Sequence, residues 1–297
     1  MKLKFLGVRG SRPVHKSELL GYGGNTTSME FIFEKEKFHL FLDGGSGLAH
    51  DSYKEAKPLR GNKIYFLITH THWDHILGLS FCKLFLSPKN KFTFFASSTS
   101  KAKFSDLFLG LHSSVHLPVP PYLKHANIDF VPIHSGTEFM IENVVKVKAH
   151  QINHQGITLA YRLEYKKSSV AIVTDIAPIE KGNHLGEGMQ QDSQDDKKFE
   201  EEYRTSLVNF LKGTHTVVFD THFTEENIKP DWGHSTPKMA LKFCEQAKVK
   251  RLILFHHAPE DDDKAVDKKL ADVRAETTRD IIDIEAAREG DIWNLYE

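Results

Sequence analysis

Apolar residues fall along this chain in short runs separated by charged or glycine-rich breaks, and only a few stretches carry helical spacing. Lys2 to Val8, Thr27 to Phe33 and Phe38 to Asp43 read as strands, the last two joined into a hairpin by the charged turn at residues 34–37. Lys63 to Thr69 is a further strand. Ile76 to Leu86 then reads as helix, Lys91 to Ala96 as extended and Thr99 to Leu111 as helix, an alternation of βαβ type. Leu117 to Tyr122, bearing prolines, breaks that rhythm, and Asn127 to Ile133, Glu138 to Lys148, Ile157 to Tyr165 and Ser168 to Thr174 follow as strands of a second sheet. Residues 176–198 are polar and acidic with no periodic apolar face, the pattern of a mobile surface insertion. A helix at Lys198 to Leu211, a strand at Thr216 to Phe219, a helix at Pro237 to Ala247 and a strand at Arg251 to Phe255 restore the α/β alternation. A charged helix over Asp261 to Arg288, capped by Gly290, and a last strand at Asp291 to Tyr296 complete the chain.

Composition adds bounds. With 39 Lys plus Arg against 40 Asp plus Glu, the net charge of −1 supplies no general field for a polyanion. The two cysteines, Cys82 and Cys244, lie in apolar stretches without partners at ligand spacing and are expected as buried free thiols. The N-terminal apolar run is too short for a signal peptide, and no stretch is long and apolar enough to span a bilayer, so a cytoplasmic protein is expected. The 18 histidines exceed what one site can use, so spacing must decide which matter.

One spacing stands out. His70-Thr71-His72-Trp73-Asp74-His75 places four ligand-type side chains in a turn directly after a strand, and imidazole with carboxylate suits a borderline metal. His154 between two strands, Asp175 after Val170 to Thr174, and His256 after Arg251 to Phe255 lie at further strand ends. One convergent site explains these positions better than four unrelated accidents, because layered α/β folds build their sites at that edge. The chemistry expected is metal-assisted hydrolysis. Trp73 is expected as a buried anchor beneath this loop. His112, His116, His125, His134, His150, His184 and His215 lack partners at ligand spacing and are expected on the surface or satisfied in the core.

Through this ligand order the chain resembles the metallo-β-lactamase superfamily, over nearly its whole length. Gly7 to Pro13, the Tyr22 to Thr27 loop, Phe41 to Gly47, Gly233-His234-Ser235-Thr236 and Phe255 to Pro259 look like its ribonuclease Z-like phosphodiesterase branch. The resemblance implies one domain over 1–297, an α/β fold of αββα sandwich type with two mixed sheets flanked by helices. It implies that His70, His72 and His154 hold one zinc, that Asp74, His75 and His256 hold a second, and that Asp175 bridges them, with manganese or iron as alternative metals. Relatives in this branch are often homodimers.

Two such ions can hold a water between them, lower its pKa and neutralise phosphoryl oxygens. The resemblance assigns catalytic work to Asp74 and to His234 paired with Asp220, a histidine held in one tautomer by a carboxylate and so suited to giving a proton to a leaving oxygen. Asp43 and His257 are expected to support the ligand imidazoles. Arg9, Arg12, Asn25, Thr26 and His222 are candidate contacts for phosphate or sugar. The function expected is a phosphodiesterase acting on a small cyclic nucleotide or cyclic phosphate ester in preference to nucleic acid. The rivals are a ribonuclease Z-like or DNA nuclease, a lactonase, thioesterase or β-lactamase-type carbonyl hydrolase, and a non-catalytic or redox protein with iron.

Overall fold

Two mixed sheets of seven strands each lie at the centre of the computed structural model, which describes residues 1–49, 62–98, 102–113, 127–179, 184–187, 189, 196–277 and 283–295. The first sheet runs in spatial order β14 (Ile292–Asn294), β1 (Lys2–Gly7), β2 (Ser28–Ile32), β3 (Phe38–Leu42), β4 (Lys63–Leu67), β5 (Lys91–Ala96) and β6 (Asn127–Pro132). The second runs β13 (Asp283–Ala286), β12 (Arg251–Phe255), β11 (Thr216–Asp220), β10 (Ser168–Val173), β9 (Thr158–Tyr165), β8 (Val145–Ile152) and β7 (Glu138–Ile141). Each sheet begins as an antiparallel meander and continues in parallel, from β3 to β6 and from β10 to β13.

Three apolar clusters fix the layers. Phe5, Phe31 and Leu40 meet Val147, Tyr161 and Ile172 between the sheets. Val173, Phe219 and Leu254, on the other face of the second sheet, pack with Leu207, Leu241 and Val266. Those three come from the helices Asp196–Leu211, Pro237–Ala247 and Asp263–Glu276. Phe66 and Phe94 cover the outside of the first sheet with Phe85 and Phe108, the latter on the helix Phe104–Leu111. The result is the expected four-layer αββα sandwich. Sandwiched between layers, the parallel strands are apolar on both faces, which is why Thr216–Asp220 is buried throughout and carries no alternation.

Several boundaries differ from the sequence reading. Glu138 to Lys148 is not one strand but a hairpin, because Glu142 and Asn143 both adopt positive φ, at 50° and 56°, and turn the chain between β7 and β8. The helix expected over Ile76 to Leu86 is a single turn, Trp73–Ile76, followed by two 3₁₀ segments. The C-terminal helix ends at Glu276, and Asp283–Ala286 is an edge strand parallel to β12, so Gly290 turns between strands rather than capping a helix. Within 176–198, Ile176, Ala177, Ile179 and Met189 are buried in the outer core of the second sheet, while 190–195 lie outside the described residues. The Leu117 to Tyr122 break also lies outside them. Cys82 and Cys244 are buried thiols outside any disulfide, as expected. Among the described residues no helix is long and apolar enough to cross a membrane.

The arrangement positions a site. The strands β3, β4, β10, β11 and β12 deliver Asp43, the His70 to His75 turn, Asp175, Asp220 and His256 at their C-terminal ends. The two sheets are tied at this edge by Leu159 N donating to Thr69 O at 3.0 Å and the Tyr161 hydroxyl donating to Ile68 O at 2.9 Å.

Candidate metal centre

Asp175 stands at the middle of a buried histidine cluster. Its Oδ1 lies 3.9 Å from His70 Nε2, 4.0 Å from His154 Nε2 and 3.4 Å from His256 Nε2, and its Oδ2 lies 3.1 Å from His75 Nε2. Two sets of potential ligand atoms share it, each set within 4.8 Å: His70, His72, His154 and Asp175 on one side, Asp74, His75, Asp175 and His256 on the other. In the first, His154 Nδ1 is engaged with Gly233 O at 2.9 Å, so its Nε2 carries the lone pair, 3.1 Å from His72 Nδ1. In the second, Asp74 Oδ2 lies 3.4 Å from His75 Nε2 and 3.2 Å from His256 Nε2.

The donors suit a cation. His70 Nε2 is buried without a hydrogen-bond partner, and burial together with His75 holds its pKa well below the ordinary value, leaving a neutral imidazole with a free lone pair. Burial likewise brings His154 down to about 3. His75 is opposite: burial pulls it down, but Asp175, Asp74 and Asp43 outweigh burial and raise it well above its ordinary value. Asp175, against its burial, is held well below the usual carboxylate range by His256, His75 and His70. Carboxylates that draw positive charge into a dry pocket, beside imidazoles that resist protonation, fit a metal ion better than added protons.

Local structure aims these groups. Asp43 accepts at Oδ1 from Thr69 N and at Oδ2 from Thr69 Oγ1, each at 2.8 Å, and holds His75 Nδ1 at 2.8 Å, so the imidazole presents Nε2 to the cluster. Asp43, Asp175 and His256 each adopt left-handed backbone, with φ of 55°, 58° and 59°. For residues that carry a Cβ this costs on the order of 1–2 kcal/mol apiece and turns each side chain sharply off its strand end. Two glycines permit close approach: a Cβ at Gly10 would stand 2.5 Å from the His256 ring, and one at Gly233, where φ is 84°, would stand 2.1 Å from His154 Nδ1.

Beside the cluster, His234 Nδ1 bonds Asp220 Oδ2 at 3.0 Å. Asp220 is itself fixed by Ile176 N at 3.1 Å and His222 N at 3.0 Å. Burial lowers the His234 pKa, but Asp220 outweighs it and the net shift is upward. The ring centroid of His234 is 5.0 Å from His256 and 5.6 Å from His154, so it faces both ligand sets. His222 stacks on it at 4.4 Å and 17°, with a buried, unpartnered Nδ1 and a pKa driven down to about 2 by burial, then by His234 and His256.

The other residues expected here lie elsewhere or serve the loops. Arg9 is fully buried and spends its guanidinium on the carbonyls of Gly23, Ala258, Asp261 and Leu19. Asn25 bonds Glu289 and Ser46, and Thr26 bonds Ser46. These three therefore shape the N-terminal loops, while Arg12 is exposed and pairs with Glu260 at 3.3 Å. His257 Nε2 bonds Ala287 O and its ring stands edge-on to Tyr22, away from the cluster. Trp73 is not a buried anchor: it is 63% exposed, because the turn that buries Asp74 and His75 directs it outward.

Some partners were not anticipated. Ser11 N donates to Asp74 Oδ2 at 2.7 Å, and Lys269, buried on the helix Asp263–Glu276, donates to the carbonyls of Thr221 and His222 and to Asp261. Neither is visible in spacing, since both depend on long-range packing. Thr69, which touches Asp43, His70 and His75, could have been suspected from its place before His70.

Comparison with known proteins places this geometry in context. Residues 42–193 match the family model described as beta-lactamase superfamily domain. The chain is 25% identical over 280 residues to ribonuclease Z of Sulfolobus acidocaldarius, with 85% of this chain and 86% of the relative covered. It is 24% identical over 306 residues to ribonuclease Z of Brevibacillus brevis, covering 93% and 91% respectively. Among solved structures, a diphosphatase of the PhnP family superposes with a TM-score of 0.64 at 16% identity, covering 99% of this chain and 97% of that one.

Proposed function

Because this chain belongs to the beta-lactamase superfamily and is a metal-dependent hydrolase, we propose that it cleaves phosphodiesters at a two-metal centre. His70, His72 and His154 would hold one ion and Asp74, His75 and His256 the other, with Asp175 common to both sets of potential ligands. Two zinc ions suit these ligands, and when bound they polarise phosphoryl oxygens and lower the pKa of water. Asp43 keeps His75 in the tautomer that offers Nε2.

The observation that carries the phosphodiester reading is the pair His234 and Asp220. The alkoxide expelled from a phosphodiester needs a proton, and His234 stands beside both ligand sets, where it can supply one. His234, its Nδ1–H committed to Asp220, keeps the Nε2 proton for the leaving oxygen as the P–O bond breaks, and its raised pKa favours having that proton. Asp220, anchored by two backbone N–H groups, stabilises the imidazolium and stays in place through the transfer.

The near-neutral net charge favours a small cyclic ester. The two curated relatives are both ribonuclease Z and lend that preference no support, so action on RNA is the second reading. Metal-replete protein assayed on bis-p-nitrophenyl phosphate, cyclic nucleotides, precursor tRNA and a lactone separates these. Diester hydrolysis is expected. Brisk lactone turnover without any on the diesters would overturn the proposal.

A further inference from the structure

Two of the three tryptophans stand exposed in the loops that carry the candidate site residues. Trp73, 63% exposed, lies between His72 and Asp74 after a strand of the first sheet, and Trp232, 56% exposed, lies two residues before His234 after a strand of the second. The third, Trp293, packs against the core between the sheets. Exposed indole is unfavourable surface, and here each sheet contributes one to its site loop.

The backbone at each is tied in place, and the Trp232 ring has neighbours of its own. His75 N donates to His72 O at 3.0 Å, which closes the turn that carries Trp73. Trp232 N donates to Lys229 O at 3.0 Å, and Gln155 Nε2 ties the neighbouring Asp231 carbonyl to the His154 loop at 2.9 Å. The Trp232 ring meets Phe223 edge-on at 6.3 Å, and Phe223 in turn lies 6.0 Å from the His234 ring. Lys229 Nζ sits 4.0 Å from the Trp232 ring centroid. A flat apolar ring with a cation over one face and more than half its surface open to solvent, next to a phosphate-cleaving centre, matches a planar heterocycle joined to a phosphate.

Resting on the phosphodiester reading above, we infer that Trp73 and Trp232 are base-stacking lips that select substrates with an unpaired nucleobase next to the scissile phosphate. Stacking needs an open face, so a base inside a duplex is refused. Lys229 answers the charge of a phosphate near the stacked base.

The test compares two esters with the same scissile bond, thymidine 5′-(p-nitrophenyl phosphate) and methyl p-nitrophenyl phosphate, on metal-loaded protein. The nucleoside ester is expected to have the higher kcat/KM by at least tenfold, and Trp73→Ala and Trp232→Ala each to reduce that ratio by about tenfold, with the Phe variants keeping most of it. A ratio near one in the unmodified protein, or one that survives both Ala changes, overturns the inference. If neither ester is cleaved, the phosphodiester reading fails, and stacking is then decided by indole fluorescence. Quenching by adenosine 5′-monophosphate but not by ribose 5-phosphate, reduced in either Trp→Phe variant, supports the lips; equal response to both ligands overturns them.

Discussion

Asp175 and His234 separate two kinds of work at the level of single side chains. Asp175 faces four imidazoles from two ligand sets, so Asp175→Ala should lower bound metal, measured by elemental analysis, and abolish diester turnover. His234 is absent from both of the sets that contain Asp175 and its Nδ1 is committed to Asp220, although it joins His222 and His256 in a third group of potential ligand atoms. His234→Ala should therefore keep metal content and cut diester cleavage by roughly 10² to 10⁴-fold. Metal loss in that variant contradicts a role confined to proton transfer. Asp43→Asn is the intermediate case: it keeps the shape but weakens the acceptor at His75 Nδ1, and metal affinity should fall by about 10 to 100-fold by competition with a chelator. Residue types and spacing made most of this cluster legible, because its members either follow an apolar strand directly or sit in the turn after one. The left-handed backbone at Asp43, Asp175 and His256 was not legible, since in a non-glycine residue nothing local announces it. Arg9 misled for a related reason: an arginine beside glycines looks like a phosphate contact until long-range folding brings four carbonyls around it.

Elements were readable where local rules and tertiary packing agree. Pro237–Ala247 shows its start in the sequence, with Thr236 accepting from Met239 N at 3.2 Å and proline in the first turn, and its bounds match the expectation. Asp283–Ala286 was hidden because four residues at a sheet edge carry too little pattern against a charged helical background. The helix preceding it, Asp263–Glu276, has an unexpected task through Lys269. This buried ammonium holds the carbonyls of Thr221 and His222, one and two residues beyond Asp220, and so fastens the loop that seats the acid pair. Lys269→Met strands those carbonyls and leaves Asp261 without its cation, and should cost about 3–5 kcal/mol in urea unfolding. A cost below about 1 kcal/mol would mean that the helix packs on the loop without anchoring it.

At the scale of the whole molecule, histidines outside the metal centre link the outer layers to pH. His112 sits under the first sheet's outer cluster, edge-on to Phe85, and His150 stacks on Phe210 of the helix Asp196–Leu211 at 5.0 Å and 19°. Burial lowers both pKa values, that of His150 to about 4. Each ring thus binds fewer protons folded than unfolded once the pH drops below the unfolded value near 6.5. Since stability rises with pH wherever the unfolded chain holds more protons, their contribution is neutral above about 6.5 and becomes destabilising as the pH falls towards 4. His150→Phe keeps a flat ring on Phe210 and removes the titration. In chelator-treated protein, the loss of unfolding free energy between pH 7.5 and pH 5.0 should therefore be smaller in the variant by about 1 kcal/mol, allowing for the remaining solvent access of the partly buried ring. The same loss in both proteins would show that His150 is solvated when protonated, and would move the acid sensitivity of this fold to His112 and the metal-centre imidazoles.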